Sequence, residues 1–461
     1  MMERDLFHLY NRAAFGRSLL AVESGSGINE HFHQLLKESE KVNPLSLDLP
    51  DGNHEAMDGR KQENRAGVFR SRQESMKMLN AVWLSRLCSG EQELRERMTL
   101  FWANHFSCRT GNPVFALHLN NLIREHALGN FGDLLRGVSR SPAMLQFLNN
   151  QQNRKAHPNE NFARELLELF TMGRGNYTEK DVAETARAFT GWSFNREGVF
   201  AFRAGQHDDG WKEVLGKKGR LSGEDVLAHV LEQKQTAVYL VRKFWKHFVS
   251  LQADEDKIRL LADDFYKKGY DIRELLKSVF LSDWFYAAKY KGALIKSPVE
   301  LMIPLIRDFK VSFANHNVAI GFQKLLGQVL FNPPNVAGWP PGRAWIDHST
   351  LSLRLRLSRV LLDNNLPDLV IKDSGDANDS FRESQTEGRF KSKADWNAFY
   401  RRYDAWTTDD LFTHLASFML AVGPGAELLK RGKEYLSGVD EKSRRKEAVL
   451  YVSTLPEYQV C

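Results

Sequence analysis

Apolar residues recur at i, i+3, i+4 and i+7 along most of this chain, the spacing of helices that bury one face. The pattern predicts helices near 76–88, 94–106, 115–128, 160–172, 179–190, 236–249, 257–268, 272–281, 297–308, 319–330, 351–362, 409–421 and 445–452. Clean period-two alternation is scarce. It is clearest in FNREGVFAFR, where it predicts a short hairpin over 194–203. The expected fold is mainly α: a multi-helix body with few or no strands.

Two stretches break the helical period. Residues 43–73 are rich in Pro, Asp, Gly, Asn and Arg, and residues 367–394 repeat that character. Few apolar anchors imply loops in both. The expected organisation is a main helical body over 1–365 with a loop insertion at 43–73, a loop or linker at 366–394, and a C-terminal helical region at 395–461. Within the body, Phe101-Trp102-Ala103-Asn104-His105-Phe106 is echoed by Phe244-Trp245-Lys246-His247-Phe248. Leu134-Leu135 and Leu275-Leu276 follow the two at similar distances. A duplicated helical unit over 76–150 and 236–290 accounts for the echo. Chance similarity between amphipathic helices accounts for it equally well.

Composition narrows the classes. A chain of 461 residues with 42% hydrophobic and 26% charged residues can build a sizeable core. The net charge of +6 is spread thinly. Its densest spots, around Arg354, Arg356 and Arg359 and at 442–446, fit solvated helix faces better than a nucleic-acid stripe. Cys88, Cys108 and Cys461 form no CxxC pair, which argues against a disulfide scaffold or a cysteine zinc site. No apolar run approaches the roughly 18 residues of a membrane span, and the first residues lack a signal-peptide core. The expectation is a soluble cytoplasmic protein, or a periplasmic one if a leader is missing.

Chemistry is densest in residues 159–192, NENFARELLELFTMGRGNYTEKDVAETARAFTGW. Asn159 can cap the first helix of this segment. Phe162, Leu166 and Leu169 form one apolar stripe, and Ala163, Leu167 and Phe170 form another beside it. A face that wide implies packing on more than one side. Gly173 or Gly175 ends the helix, and Thr178 with Asp181 resembles a capping box. Asn161, Arg164, Glu165 and Glu168 take the remaining arc, and Trp192 closes the second helix. Two readings stay open. One is a solvated face whose ion pairs contribute a few tenths of a kcal/mol each (~0.2–1). The other is a carboxylate cluster facing a cavity, with Glu165 and Glu168 one turn apart as in helix-borne metal sites. No histidine lies on the same helix to complete such a site.

Further blocks carry a resemblance. They are LFWANHFSC at 100–108, QHDDGWKEVLG at 206–216, IKSPVELM at 295–302 and LFNPPNVAGWPPGRAWIDHSTLSLR at 330–354. Together with the 159–192 segment, and with HLYNRAAFG at 8–16 and LPEYQV at 455–460, their order resembles the bacterial family catalogued as domain of unknown function 1800. The resemblance implies a largely helical protein, encoded beside a partner that resembles phosphatases and sulfatases. It implies no activity. It also implies export and a second His in the FW-x-N-H block, where this chain has Ala103, so a metal held there would lack that ligand.

The remaining candidates are local. His105 shares a helix face with Trp102 and is either a packed core histidine or a ligand. His207 and Asp208 lie in a polar turn that either bonds its own backbone or holds a divalent metal. Four prolines stiffen the loop carrying Asn335, Trp339 and Trp345, which either presents an aromatic and amide surface or plugs the body. Arg354 is expected to pair with the acids of 160–168. No GxxxxGK[ST], HExxH or GxSxG is present. The catalytic candidates are thus Glu165, Glu168, His105 and His207; the binding candidates are Asn159, Asn161, Arg164, Trp192, Asn335, Trp339 and Arg354; the metal candidates are His207 and Asp208. Two functions compete: a non-catalytic helical binding or scaffold protein acting with the phosphatase/sulfatase-like partner, and a metal-assisted or carboxylate-based hydrolase built on the 159–192 hairpin.

Overall fold

Burying the apolar stripes pairs the helices into two cores that meet along one helix. The structure, a computed structural model, describes residues 2–21, 27–49, 62–363 and 391–461. In chain order the helices are α1 (Met2–Ala13), α2 (Ile28–Glu38), α3 (Gln62–Cys88), α4 (Glu93–His105), α5 (Pro113–His126), α6 (Phe131–Arg140), α7 (Pro142–Phe147), α8 (Asn161–Glu165), α9 (Glu179–Ala188), α10 (Gly223–Glu232), α11 (Lys234–Phe248), α12 (Glu255–Lys267), α13 (Ile272–Phe280), α14 (Pro298–Asp308), α15 (His316–Leu326), α16 (His348–Asp363), α17 (Asn397–Arg402), α18 (Thr408–Met419), α19 (Ala426–Ser437) and α20 (Arg444–Thr454). Helix α8 runs on as a π-helix over Leu166–Thr171. Every helix that the apolar period predicts is present, and the fold is mainly α.

Among the described residues, strands are confined to short antiparallel pairs. The expected hairpin joins β1 (Trp192–Phe194) to β2 (Phe200–Phe202), with Trp192 opposite Phe202. A second hairpin, unsignalled by alternation, pairs β3 (Lys212–Val214) with β4 (Lys217–Gly219). Between β5 (Ser312–Phe313) and β6 (Ser392–Lys393) two residue pairs tie distant segments. No helix among the described residues is long and apolar enough to cross a membrane.

The first core gathers side chains from α2 and from α4 through α13, with Leu9 of α1. The second gathers α3, α14, α15 and α16 with α17 to α20. The C-terminal helices therefore share a core with α14–α16. The stretch expected to be loose at 43–73 is helical from Gln62 onward, because Met76, Leu79 and Trp83 of α3 anchor it. Residues 50–61 and most of the expected linker lie outside the described residues. The two echoed segments are α4–α6 and α11–α13. Phe101 packs on Phe244 and Phe248 with ring centroids 6.0 and 5.3 Å apart, and a bridge joins Asn130 to Asp271. These contacts describe packing, and a common origin of the two segments is not shown.

Helix α4 is the seam. Leu94, Met98, Phe101 and Trp102 enter the first core, and Leu100 enters the second. Arg97, Leu100 and Asn104 are spaced i, i+3 and i+7, so they share the face turned toward the second core.

Candidate functional site

The hairpin at 159–192 forms as its local signals require. The Oδ1 of Asn159 accepts from Asn161 N at 3.0 Å, Gly173 ends the helix at a φ of +79°, and Thr178 and Asp181 form a reciprocal capping box. Arg164 bridges Glu160 at 3.1 Å and Glu179 at 2.7 Å on the outside, where all three are exposed enough for solvent to screen them. Trp192 is core, edge-on to Phe189 and Phe200. Glu165 and Glu168 are half-buried. Glu168 accepts the Tyr177 hydroxyl at 2.5 Å. Burial, and then the charge of Glu168, push the Glu165 carboxyl above its usual range.

The π-turn sets the surroundings of these acids. A helix end leaves its last carbonyls without partners, and here side chains supply them. Leu169 O accepts from Tyr239 Oη at 2.9 Å and Lys243 Nζ at 3.3 Å, and Phe170 O pairs with His105 Nε2 at 3.1 Å. His105 is therefore packed beneath the hairpin, among Trp102, Phe106 and Phe131, and burial holds it neutral.

The other expected members lie elsewhere. His207 bonds Thr190 O at 2.9 Å, and Arg187 grips Asp208 at 2.8 and 3.2 Å. That clamp fastens the 203–212 turn to α9 and uses the carboxylate a cation would need. No group of three or more His, Cys, Asp or Glu side chains among the described residues is placed to hold a metal ion. Arg354 does not pair with the acids of 160–168. It is buried at 1% exposure, donating to Lys296 O at 2.7 Å and Gln459 Oε1 at 3.2 Å. The proline-rich loop turns its tryptophans inward: Trp339 and Trp345 are buried, and Asn335 caps its own turn by accepting from Ala337 N. Trp339 is clamped at both backbone groups. Its N donates to Asn104 Oδ1 at 2.7 Å, and its O accepts from Asn104 Nδ2 at 3.2 Å.

This clamp leads to a site that the residue patterns did not reveal. Where α4 meets the second core, a cleft is lined by Arg97 and Asn104, by Lys246 and His247 at the end of α11, by Ser297 and Glu300 at the start of α14, and by Gln328, Trp339, Trp345 and Cys461. Exposed Lys246 and Pro341 mark its mouth. The enclosed space is about 50 Å³. One water needs roughly 10–15 Å³ by this measure, so a group of a few heavy atoms fits.

Of the cations here, Arg97 and Lys246 line the cleft, while Arg12 and Arg354 reach its surroundings through Cys461 O and Lys296 O. Arg12, Arg97, Lys296 and Arg354 are each at most 4% exposed. Burial pushes Arg97 and Arg354 down to about 10 and Lys296 down to about 8. Attraction to Cys461, whose main-chain O accepts from Arg12 at 2.6 Å, offsets part of that cost. Glu300 is the carboxylate within the cleft, and it faces Arg97. Arg12 Nη1, Arg354 Nη1 and His247 Nε2 are buried without hydrogen-bond partners. Burial, with Arg97 and Arg12 nearby, holds His247 neutral. Of these three residues His247 lines the cleft, and its neutral Nε2 donates or accepts according to tautomer.

The parts come from segments far apart in the chain. Arg97 with Asn104, Lys246 with His247, Ser297 with Glu300, the stretch from Gln328 to Trp345, and Cys461 meet only in the fold. The one local hint was the recurrence of Arg, Asn and Trp inside blocks of otherwise unexplained composition. A family model described as "Protein of unknown function (DUF1800)" matches residues 8–460. Searches of curated proteins and of solved structures give no match.

Proposed function

The chain belongs to the DUF1800 family of proteins of unknown function, and on that premise we propose that it is a binding protein whose ligand places an anionic group in the cleft between its two cores. The observation that carries this reading is a cleft lined by Arg97 and Lys246 against the one carboxylate side chain of Glu300, with His247 Nε2 buried there without a partner. Burying charge without a partner is expensive, and a bound oxyanion supplies both charge and acceptors. Pockets also favour boundaries between packed units. The phosphatase/sulfatase-like partner implied by the resemblance fits this reading, since hydrolysis of such esters releases an oxyanion.

Calorimetric titration of the full chain with acetate, phosphate and sulfate at low ionic strength tests it. Saturable binding of at least one anion is expected, weakening with added salt. Arg97→Met should abolish it, and Lys246→Ala, at the mouth, should weaken it only a few-fold. If none of the three anions binds the wild-type chain, the reading fails.

A second reading retains the hydrolase on the hairpin. It is favoured by the raised Glu165 carboxyl beside Glu168, since two carboxyls with separated pKa values can act as acid and base. Its test is ester hydrolysis by the purified chain. Activity that survives Glu165→Gln and Glu168→Gln together would remove this reading.

A further inference from the structure

Beside Arg97 and Lys246 the cleft holds one carboxylate side chain, and an acid in an anion site discriminates. Glu300 sits in the first turn of α14. One carboxylate oxygen faces Arg97, and the other accepts from Ser297 N at 2.6 Å. Each carboxylate oxygen has two lone pairs, so each can accept one further hydrogen bond. An anion drawn in by Arg97 and Lys246 therefore also meets an acceptor.

A fully deprotonated oxyanion such as sulfate offers that acceptor only lone pairs, and the contact is repulsive. An oxyanion that carries its own proton converts the same contact into a charge-assisted O–H···O hydrogen bond. Resting on the anion-binding reading above, we propose that the cleft selects monohydrogen phosphate, or a phosphate group bearing a proton, over sulfate, with Glu300 accepting the proton-bearing oxygen. Both free ions are tetrahedral dianions at pH 8, so size and charge do not separate them. The proton does. A cavity of about 50 Å³ matches a group of this size rather than a whole large ligand.

The experiment is calorimetric titration of the full chain at pH 8 and low ionic strength with sodium phosphate, sodium sulfate and sodium monofluorophosphate. The last is a tetrahedral dianion with no proton to donate. Phosphate is expected to bind at least tenfold more tightly than the other two, which should resemble each other. Glu300→Gln keeps a residue suited to the third position of the helix and replaces one acceptor oxygen with a donor. It should bring the preference below threefold by strengthening sulfate. Equal affinities for phosphate and sulfate in the wild-type chain overturn the selection and leave the anion site standing. Binding of none of the three overturns the site itself. A monofluorophosphate affinity equal to that of phosphate overturns the role of the proton without recourse to any variant.

Discussion

At the scale of single residues, Gly338 shows how strictly the cleft wall is built. Its φ is +84°, and a Cβ there would lie 2.2 Å from Asn104 Oδ1 and 2.6 Å from Asn104 O. The left-handed conformation alone costs a non-glycine residue about 1–2 kcal/mol, and the backbone contact cannot be relieved by rotating a side chain. Gly338→Ala should therefore lower unfolding free energy by more than about 2 kcal/mol. Gly175 has a φ of +84° with nothing within 4 Å of its Cβ position, so Gly175→Ala isolates the conformational cost alone. Equal urea midpoints for the two variants would refute the contact. Lys296 makes a second argument. Burial holds its amine at about 8, below the ordinary 10.5, and its ammonium lies 4.0 Å from the centre of the Tyr458 ring. A folded pKa below the unfolded one means that stability falls as pH drops from about 10.5 through 8. An anion in the cleft favours the ammonium, so binding near pH 8.5 should take up protons. Titration in two buffers of different ionisation enthalpy reads that uptake, and Lys296→Met should abolish it.

At the scale of elements, the docking of the 330–345 loop depends on one side chain of α4. Asn104 holds both the N and the O of Trp339, and a lost hydrogen bond that leaves a buried group unpaired costs about 1–3 kcal/mol. Asn104→Ala should destabilise the chain by roughly 2–4 kcal/mol, shift tryptophan fluorescence toward that of exposed rings, and weaken anion binding, because Trp339 is a wall of the cleft. Unchanged fluorescence would show that the loop is held by other means. The same scale shows what a sequence makes legible. Helices such as α11, with Leu240, Val241, Phe244 and Phe248 on one face, announce themselves because burial and period coincide. The box at Thr178 and the hairpin around Gly198 are also local, so their signals survive without a fold. Helix α3 escaped in its first turns because residues 62–73 are mostly polar in sequence, and its buried anchors Met76, Leu79 and Trp83 lie further along. The π-turn at Leu166–Thr171 was illegible for a similar reason. Its carbonyl partners, Tyr239, Lys243 and His105, come from α11 and α4.

At the scale of the whole molecule, the acids of the hairpin and the cations of the cleft were visible in the sequence only as residue types, because spacing along a helix does not say which face meets a neighbour. Arg354 had the right chemistry and the wrong expected partner: α16 delivers it to the C-terminal strand of contacts at Lys296 and Gln459. The histidines carry a molecule-wide consequence. His8, His105 and His247 lie in or beside the first core and its seam, and burial holds all three well below their usual pKa of 6.5. In the unfolded chain they titrate normally, so between pH 7.5 and 5.5 the unfolded state binds protons that the folded state refuses. Stability rises with pH when the unfolded state binds more protons, so it must fall on acidification through this window. Each group contributes about 1.4 kcal/mol per unit of pH once it titrates, and over that window three such groups remove about 4 kcal/mol. Raised carboxyls such as Glu165 work in the opposite direction, which is why the comparison must be between variants. His8→Phe, which keeps a ring against Phe285, and His247→Phe should each flatten the dependence of unfolding free energy on pH by about a third. If both variants track the wild-type slope, these histidines are not neutral in the fold, and the electrostatic account of the seam, including the positive character of the cleft, loses its footing.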